Sequence, residues 1–175
     1  MMISCPWITV VGATGLYNAN PTTEVAAADE SYEFYSGGGF SNLFNTSDYQ
    51  TQAVSDYFTK YPPPYAYYES VNNNSFGAGG GVYNRKGRGY PDVSAIGDNI
   101  NIYVYGYFEP SAGTSASTPI VASIVNRINE ERLEAGKSPV GFLNYALYKN
   151  PTMLNDVVSG TNDGCSTNGF NASIG

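Results

Sequence analysis

Apolar positions in the second half of the chain follow a helical period. They recur at helical spacing after residue 119: Ile120, Val121, Ile124, Val125 and Ile128. Amide and charged side chains fill the other positions up to residue 132, so the pattern predicts an amphipathic helix. Pro119 suits the first helical turn, where its missing N–H costs nothing, and Gly136 predicts the end of the helix.

Runs of β-branched and aromatic residues predict strands before this helix. The segment Trp7–Gly12 predicts a buried strand, Pro91–Ala95 enters another, and Ile102–Tyr107 forms a third. Residues Phe108–Ala112 are rich in turn-forming side chains, so we expect a loop between the third strand and the helix.

Shorter elements complete the pattern. Asp48–Tyr61 has one apolar stripe and predicts a short helix that three prolines end, and Val140–Tyr148 predicts a second short helix. Thr22–Tyr35 is a polar connection with room for a partly exposed strand, and Tyr65–Gly81 is a predicted loop. Strands that alternate with helices imply an α/β fold, a layered sheet that is mostly parallel.

Composition fits one domain with a hydrophobic core and excludes some partners. The chain has 175 residues, 42% of them hydrophobic, and a net charge of -7. This acidic balance argues against nucleic acid and against anionic membrane surfaces, because both attract a basic protein surface. No run of about 18 or more apolar residues predicts a membrane span. Residues 1–3 lack the basic region of a signal peptide, which we interpret as truncation.

The segment 113–119, which reads Gly-Thr-Ser-Ala-Ser-Thr-Pro, carries the candidate chemistry. The predicted strand, loop and helix place Ser115 at a helix N-terminus. There the backbone N–H groups and the helix dipole favour developing negative charge. Serine and threonine are also preferred helix caps, so these residues by themselves leave a cap and a nucleophile about equally open.

The absence of histidine from the chain limits the choice of base for such a nucleophile. A serine hydroxyl is a weak nucleophile without a neighbouring base. The natural candidate is then a carboxylate, which exchanges protons at acidic pH.

Five short motifs occur in order along the chain: Ser-Cys-Pro at 4–6, Ser-Gly-Gly-Gly-Phe-Ser at 36–41, Arg-Gly-Tyr-Pro-Asp-Val-Ser-Ala at 88–95, Gly-Thr-Ser-Ala-Ser at 113–117, and Asn-Asp-Val-Val-Ser-Gly at 155–160. Together they resemble the sedolisin family, the serine-carboxyl peptidases that include tripeptidyl-peptidases of fungi and of lysosomes. The segment 165–172 is most similar to the fungal secreted branch. The resemblance implies a subtilisin-like layered fold and proteolysis of a peptide or protein substrate.

The resemblance implies that Ser115 is the nucleophile. Its partners in the family are a Glu-x-x-x-Asp pair and an oxyanion aspartate in Ser-Gly-Asp, all upstream of the Ser-Cys-Pro strand. None has a matching position here, and Glu24 and Glu30 have no aspartate four residues later. We therefore expect residues 1–175 to be a single partial peptidase domain, the C-terminal half of a catalytic domain. Its parent would carry an N-terminal propeptide, and the chain alone would be inactive.

The resemblance also implies one calcium ion. Asp156 and Val157 match the first ligand pair of the family, and Gly175 matches a carbonyl ligand. Ser173 lies where a second carbonyl is expected but differs in residue type, so it is left out of the set. The Trp-Asp-Pro that follows in the family is absent, which leaves the site incomplete. From the residues alone, Asp156 is a loop turn residue.

The chain has two cysteines, Cys5 and Cys165. The sequence alone is compatible with two buried thiols or with a disulfide bridge between them. The resemblance implies that they pair, which requires an oxidising compartment. Glycosylation sequons begin at Asn45, Asn73 and Asn171 and add modest support. We therefore expect the parent protein to be secreted and extracellular.

Two alternatives remain open. The chain is an inactive fragment or non-catalytic interaction module with Ser115 as a relic, or a subtilisin-like peptidase fragment whose histidine lies on a missing segment. The signature at 113–119 and the half calcium site disfavour the second of these.

Three further features have structural interpretations. Gly77–Gly81 lacks the spacing of a nucleotide-binding loop. Gly37–Gly39 predicts a tight loop, although glycines there also permit close approach of a substrate backbone. Asp92 is expected to be a structural carboxylate.

Overall fold

A computed structural model describes residues 2–16, 23–29, 34–69 and 78–175. The helices of this part are α1 (Thr51–Lys60), α2 (Thr114–Glu134) and α3 (Asn144–Lys149). Its strands, in chain order, are β1 (Val11–Leu16), β2 (Glu24–Ala26), β3 (Ala28–Asp29), β4 (Phe34–Tyr35), β5 (Gly39–Asn45), β6 (Tyr67–Tyr68), β7 (Tyr83–Asn84), β8 (Gly87–Tyr90), β9 (Val93–Ile96), β10 (Ile100–Val104) and β11 (Tyr107–Ser111).

The central sheet has the order β2-β1-β9. Strands β1 and β9 are parallel, from Val11 opposite Val93 to Thr14 opposite Ile96, and β2 runs antiparallel to β1. Helix α2 packs on β1 and β9. The α/β layering is therefore as predicted. The parallel ladders of the described residues are β1–β9 and β6–β7, while β1–β2, β3–β4, β5–β8 and β10–β11 are antiparallel.

The two faces of the central sheet are packed by different parts of the chain. A Cβ added to Gly12 would lie 2.7 Å from both Pro91 and Ser94 and 3.1 Å from Ser36, so the segment after β4 crosses this face closely. The opposite face carries α2, whose Ser117 is fully buried next to Gly97. Small side chains let both layers approach the sheet.

An aromatic cluster fills the layer on the Gly12 face. Phe40 of β5 lies 4.7 Å from the Phe58 ring of α1 and 5.1 Å, edge to face, from the Phe170 ring. Tyr83 of β7 lies 5.3 Å from Phe170 in the same geometry. Each such pair contributes roughly 0.5–1.5 kcal/mol beyond the burial of its area. The cluster therefore holds the C-terminal segment against α1 and β5.

A buried ion pair fixes the ends of several elements. Arg88 Nη2 lies 2.5 Å from Asp92 Oδ2, and both side chains are fully buried. The same carboxylate accepts hydrogen bonds from the Val10 N–H at 2.8 Å and from the Tyr148 hydroxyl at 2.9 Å. Gln50 donates to the Tyr148 hydroxyl oxygen at 3.0 Å. Asp92 therefore has the structural environment that was expected for it.

Burial and the Asp92 charge together set the direction of two pKa shifts in this network. Burial, reinforced by the negative charge of Asp92, raises the pKa of the Tyr148 hydroxyl well above its usual range. Burial lowers the pKa of the Arg88 guanidinium, but the adjacent Asp92 carboxylate outweighs it, so the net shift is upward.

Several predicted boundaries are wrong. The first strand begins at Val11 rather than Trp7, whose side chain is 72% exposed. Residues 107–111 form β11 rather than a loop, so the predicted third strand is a hairpin that turns at Tyr105 and Gly106. The second short helix begins at Asn144 rather than Val140.

The other element predictions hold in large part. The helix expected at 48–61 is a 3-10 turn followed by α1. Helix α2 ends at Glu134, close to the end predicted at Gly136. The polar connection 22–35 contains β2, β3 and β4, although residues 22 and 30–33 lie outside the described part. Residue 77 of the glycine segment is also outside it, and residues 78–80 form a 3-10 turn. Within the described residues, no helix combines the length and hydropathy that a membrane crossing needs.

Candidate active site

Ser115 lies in the first turn of α2 and is exposed to solvent. Strand β11 ends at Ser111, and the helix begins at Thr114 after Gly113, whose φ of 156° glycine adopts readily. The Ala116 N–H donates to the Gly113 carbonyl at 2.9 Å. The strand-to-helix position predicted for Ser115 is therefore confirmed.

The loop before Ser115 is tied to the central sheet through Gly97, directly after β9. The Gly97 N–H donates to the Thr14 carbonyl of β1 at 2.9 Å, and the Gly97 carbonyl accepts from the Gly113 N–H at 2.7 Å. A Cβ on Gly97 would overlap Ser117 Oγ and would lie 2.8 Å from the Ala13 Cβ. Only glycine allows α2 to begin this close to the sheet.

The N-terminus of α2 has the electrostatic character of an anion site. Gly113 provides no side-chain cap, and the first turn contains no acidic residue. The N–H groups of a first turn lack partners within the helix, and the dipole of a 21-residue helix adds partial positive charge there. Negative charge that develops beside Ser115 is therefore stabilised by backbone groups of this chain.

No base accompanies this serine in the part of the chain that the structure describes. The Ser115 hydroxyl forms no hydrogen bond there with another side chain, and the chain contains no histidine. Among the described residues, the site therefore has a positioned hydroxyl and an anion-stabilising helix end but no group that would remove the proton.

A cavity of about 320 Å³ lies away from Ser115. It is on the Gly12 face of the sheet, against Gly37, Tyr57, Tyr90 and Phe170. Ser115 is not among its lining residues. We place the candidate chemistry at Ser115 because nucleophilic attack requires an exposed hydroxyl, and the cavity is a separate feature of the packing layer.

The predicted calcium ligands come together in part. The Asp156 carboxylate accepts a hydrogen bond from the Gly175 N–H at 2.9 Å, and Val157 follows it along the chain. Carboxylate and carbonyl oxygens are the donors that Ca²⁺ takes, but the ion needs about six to eight of them. No cluster of three or more His, Cys, Asp or Glu side chains occurs in the described ranges. These residues fit part of a calcium shell, and no catalytic step is assigned to the ion.

The predicted disulfide is not formed in this structure. Cys5 is half-buried, Cys165 is exposed, and both are free thiols. Cys165 lies close enough to Tyr68 and Tyr90 to contribute, after burial, to the raised pKa of each phenol.

Gly97 is the functional position that sequence reasoning missed. The available signal was a glycine directly after the predicted strand Pro91–Ala95. Its importance depends on contacts with residues far away in the chain, on β1 and α2. The motif at 113–117 contains Ser117, but nothing in the motif indicates that its hydroxyl is buried without a partner in the described part.

Curated relatives match almost the whole chain. Aorsin from Aspergillus oryzae is 55% identical and tripeptidyl-peptidase sed1 from Aspergillus fumigatus is 51% identical, each over 98% of this chain. Tripeptidyl-peptidase 1 from Bos taurus is 38% identical over 93% of it. The chain spans only 26–27% of the length of these relatives. No family model matches the chain.

A solved structure has the same fold. Pseudomonas sedolisin, a serine-carboxyl proteinase complexed with two molecules of pseudo-iodotyrostatin, superposes with a TM-score of 0.68 at 23% identity. The match covers 99% of this chain and 42% of that protein, so this chain has part of that protein's fold. The sequence relatives show that the chain belongs to the sedolisin family, and the solved structure shows the fold.

Proposed function

We propose that the chain is the nucleophile-bearing part of a serine-carboxyl peptidase, with Ser115 attacking the scissile carbonyl of a peptide or protein substrate. The observation that carries the proposal is the exposure of Ser115 at the uncapped N-terminus of α2, on a loop hydrogen-bonded to the sheet. This arrangement matches what acyl transfer requires of a nucleophile and of the groups beside it.

The chemistry divides between this chain and a base outside it. A bond forms from Ser115 Oγ to the carbonyl carbon, and the hydroxyl proton passes to a carboxylate that the rest of the parent enzyme supplies. The carbonyl oxygen becomes negative, and the first turn of α2 stabilises that charge. The C–N bond then breaks as the leaving amine takes the proton, and water releases the acyl group from Ser115 by the same steps.

The finer parts of the proposal follow the relatives and the family resemblance. Similarity to tripeptidyl-peptidase sed1 of Aspergillus fumigatus supports release of tripeptides, and internal cleavage by an acid endopeptidase is the alternative mode. In the parent enzyme, Asp156, Val157 and Gly175 would contribute to a calcium site. The parent would have a propeptide and be secreted, into a compartment where Cys5 and Cys165 are able to pair.

A hybrid enzyme tests the role of Ser115. In it, residues 1–175 replace the matching region of Aspergillus fumigatus tripeptidyl-peptidase sed1, with which they share 51% identity. We expect the hybrid to hydrolyse short peptides at acidic pH and Ser115→Ala to lower kcat by more than about a thousandfold. Ser123→Ala, which removes an exposed hydroxyl further along α2, is the matched control. An active Ser115→Ala hybrid would remove this serine from the mechanism, and mass analysis of products distinguishes tripeptide release from internal cleavage.

A non-catalytic module is the second candidate, because the Ser115 hydroxyl has no base within the described residues. Both candidates predict that the chain by itself is inactive. The purified chain, assayed on short peptides from about pH 3 to 7, where a carboxylate base titrates, should show a rate near background with and without calcium. Activity of the isolated chain that Ser115→Ala abolishes would reveal a base within it. The hybrid separates the two candidates, since a non-catalytic module leaves it inactive.

A further inference from the structure

The hairpin of β10 and β11 carries aromatic side chains that project into solvent. Tyr103, Tyr107 and Phe108 are 66%, 72% and 76% exposed, and Tyr105 at the turn is 97% exposed. Tyr103 and Phe108 lie opposite each other in the ladder, and their rings are 5.0 Å apart, edge to face. We call these four side chains the aromatic hairpin. Contiguous apolar surface of this kind marks a binding site, whereas single exposed apolar residues need no explanation.

The turn of the aromatic hairpin does not use the residue that favours its geometry. Tyr105 has a φ of 50° and Gly106 a φ of 91°, which is the backbone of a two-residue turn that Asn-Gly favours. A positive φ is uncommon for a bulky residue and costs folding energy. Because Tyr105 is almost fully exposed, packing within the chain offsets little of that cost. Residues held in such conformations are concentrated at active sites and ligand-binding sites.

The aromatic hairpin is continuous with the candidate active site. Strand β11 ends at Ser111, four residues before Ser115. The loop between them is held to the sheet where the Gly113 N–H donates to the Gly97 carbonyl. Phe108 is seven residues before Ser115, and a fully extended chain of that length spans about 25 Å at most. A polypeptide bound at Ser115 therefore reaches the hairpin within about eight of its own residues.

We propose that the aromatic hairpin is an exosite, a surface that binds apolar segments of an unfolded protein substrate away from the bond that Ser115 cleaves. The inference rests on the proposed function and extends it by naming the substrate class. Proteins at acidic pH lose their tertiary packing and expose hydrophobic side chains. Release of tripeptides places three residues on the acyl side of the cleaved bond, so the bulk of such a substrate lies elsewhere on the enzyme.

Charge favours this occupant over a membrane or a second copy of the chain. Glu109, opposite Ile102, is the one charged residue in the sequence from 100 to 111. The net charge of -7 disfavours anionic membrane surfaces and adds repulsion between two copies of the chain. A neutral or basic polypeptide meets neither obstacle. Aromatic rings bind its apolar side chains and also the cations of lysine and arginine.

The hybrid enzyme tests the exosite with two substrates. One is reduced and carbamidomethylated lysozyme, an unfolded protein, and the other is a tripeptide with a fluorogenic amide leaving group, which lacks the polypeptide that the hairpin would hold. We expect the combined change Tyr103→Ser, Tyr105→Ser and Phe108→Ser to raise KM for the protein at least about tenfold and to change kcat/KM for the tripeptide by less than about twofold. Leu133→Ser removes an exposed apolar side chain at the other end of α2 and is the matched control, which should change neither value.

A single change separates binding from stability. Tyr105→Asn introduces the residue that this turn favours, so the melting temperature should stay the same or rise, while KM for the protein should rise at least about threefold. Equal KM values for the hairpin variants and Leu133→Ser would overturn the proposal. A melting temperature lowered by more than about 5 °C in both hairpin variants would do the same, because the hairpin would then be packed within the enzyme. So would a homodimer in light scattering, or binding to phosphatidylcholine vesicles, that requires the aromatic hairpin.

Binding to an inactive enzyme separates this proposal from the proposed function. Fluorescently labelled, carbamidomethylated lysozyme is titrated with the Ser115→Ala hybrid at the acidic pH of the assay, and the combined hairpin change should raise Kd at least about tenfold in anisotropy. Hairpin-dependent binding, in a hybrid that has no peptidase activity even with Ser115 present, refutes the proposed function and leaves the exosite intact. Ser115-dependent cleavage of the protein that ignores the hairpin refutes the exosite and leaves the proposed function intact.

Discussion

Replacing Gly97 with alanine should disturb both the stability of the fold and the position of Ser115. The added Cβ would overlap Ser117 Oγ and lie 2.8 Å from the Ala13 Cβ and 2.9 Å from the Gly113 carbonyl oxygen. Ordinary contacts between carbon atoms are about 3.5–4.0 Å. The start of α2 must therefore move away from β9 by about 1 Å to relieve the overlap.

The neighbours of Gly97 leave little room for that movement. Its N–H and carbonyl are both used in hydrogen bonds, to Thr14 and from Gly113, so moving Gly97 itself would break one of them. Overpacking of this kind costs about 1–3 kcal/mol of folding stability. A displacement of about 1 Å at a nucleophile lowers turnover by about a hundredfold. For the hybrid we expect a lower melting temperature. We also expect kcat to fall by a larger factor than the factor by which KM changes.

Gly141→Ala is the matched control for Gly97→Ala. A Cβ at Gly141 would meet no heavy atom within 4 Å, so the same chemical change should leave the hybrid nearly unaffected. The assays are thermal unfolding and peptide hydrolysis at acidic pH, with both variants purified in parallel. If Gly97→Ala matched Gly141→Ala in melting temperature and kcat, then the close approach of α2 to β9 would not be what positions Ser115.

Two further predictions concern the buried network. Asp92→Asn should destabilise the hybrid by about 3–5 kcal/mol in urea unfolding, because it leaves a fully buried guanidinium without its counter-charge; a loss below 1 kcal/mol would contradict this. Burial raises the folded-state pKa of Tyr148 above the unfolded value of about 10. The contribution of Tyr148 to folding stability is therefore complete below about pH 10 and is lost as the pH rises above it. Tyr148→Phe should therefore reduce the alkaline slope of unfolding free energy by up to about 1.4 kcal/mol per pH unit, whereas Tyr105→Phe, at the exposed hairpin tip, should not.

Elements whose signals are local were predicted well. The period of α2, its early proline and the glycine after it lie within one segment, and Gly136 has the positive φ of a helix end. Ser115 was correctly placed for the same reason, since its position follows from the adjacent strand and helix. Membership of the family followed from short motifs in order along the chain.

Features that depend on pairing were predicted less well. Strand β1 starts at Val11 because its partner strand offers Val93 there, and the preceding residues turn toward Phe142, against which Trp7 packs at 6.4 Å. The hairpin of β10 and β11 turns at Tyr105 and Gly106, both with positive φ. Such turns usually carry Asn-Gly or Asp-Gly, so a tyrosine in the first position gave no turn signal.

Under the proposed function, Ser115 and the N-terminus of α2 supply one of the two components that acyl transfer needs. The hydroxyl and the positive end of α2 are fixed by contacts within this chain, chiefly the hydrogen bond from Gly113 to Gly97. Electrostatic stabilisation of this type is typically worth about 3–4 kcal/mol. Proton transfer to a positioned base contributes a further hundred- to ten-thousandfold, and no base contacts the Ser115 hydroxyl among the described residues.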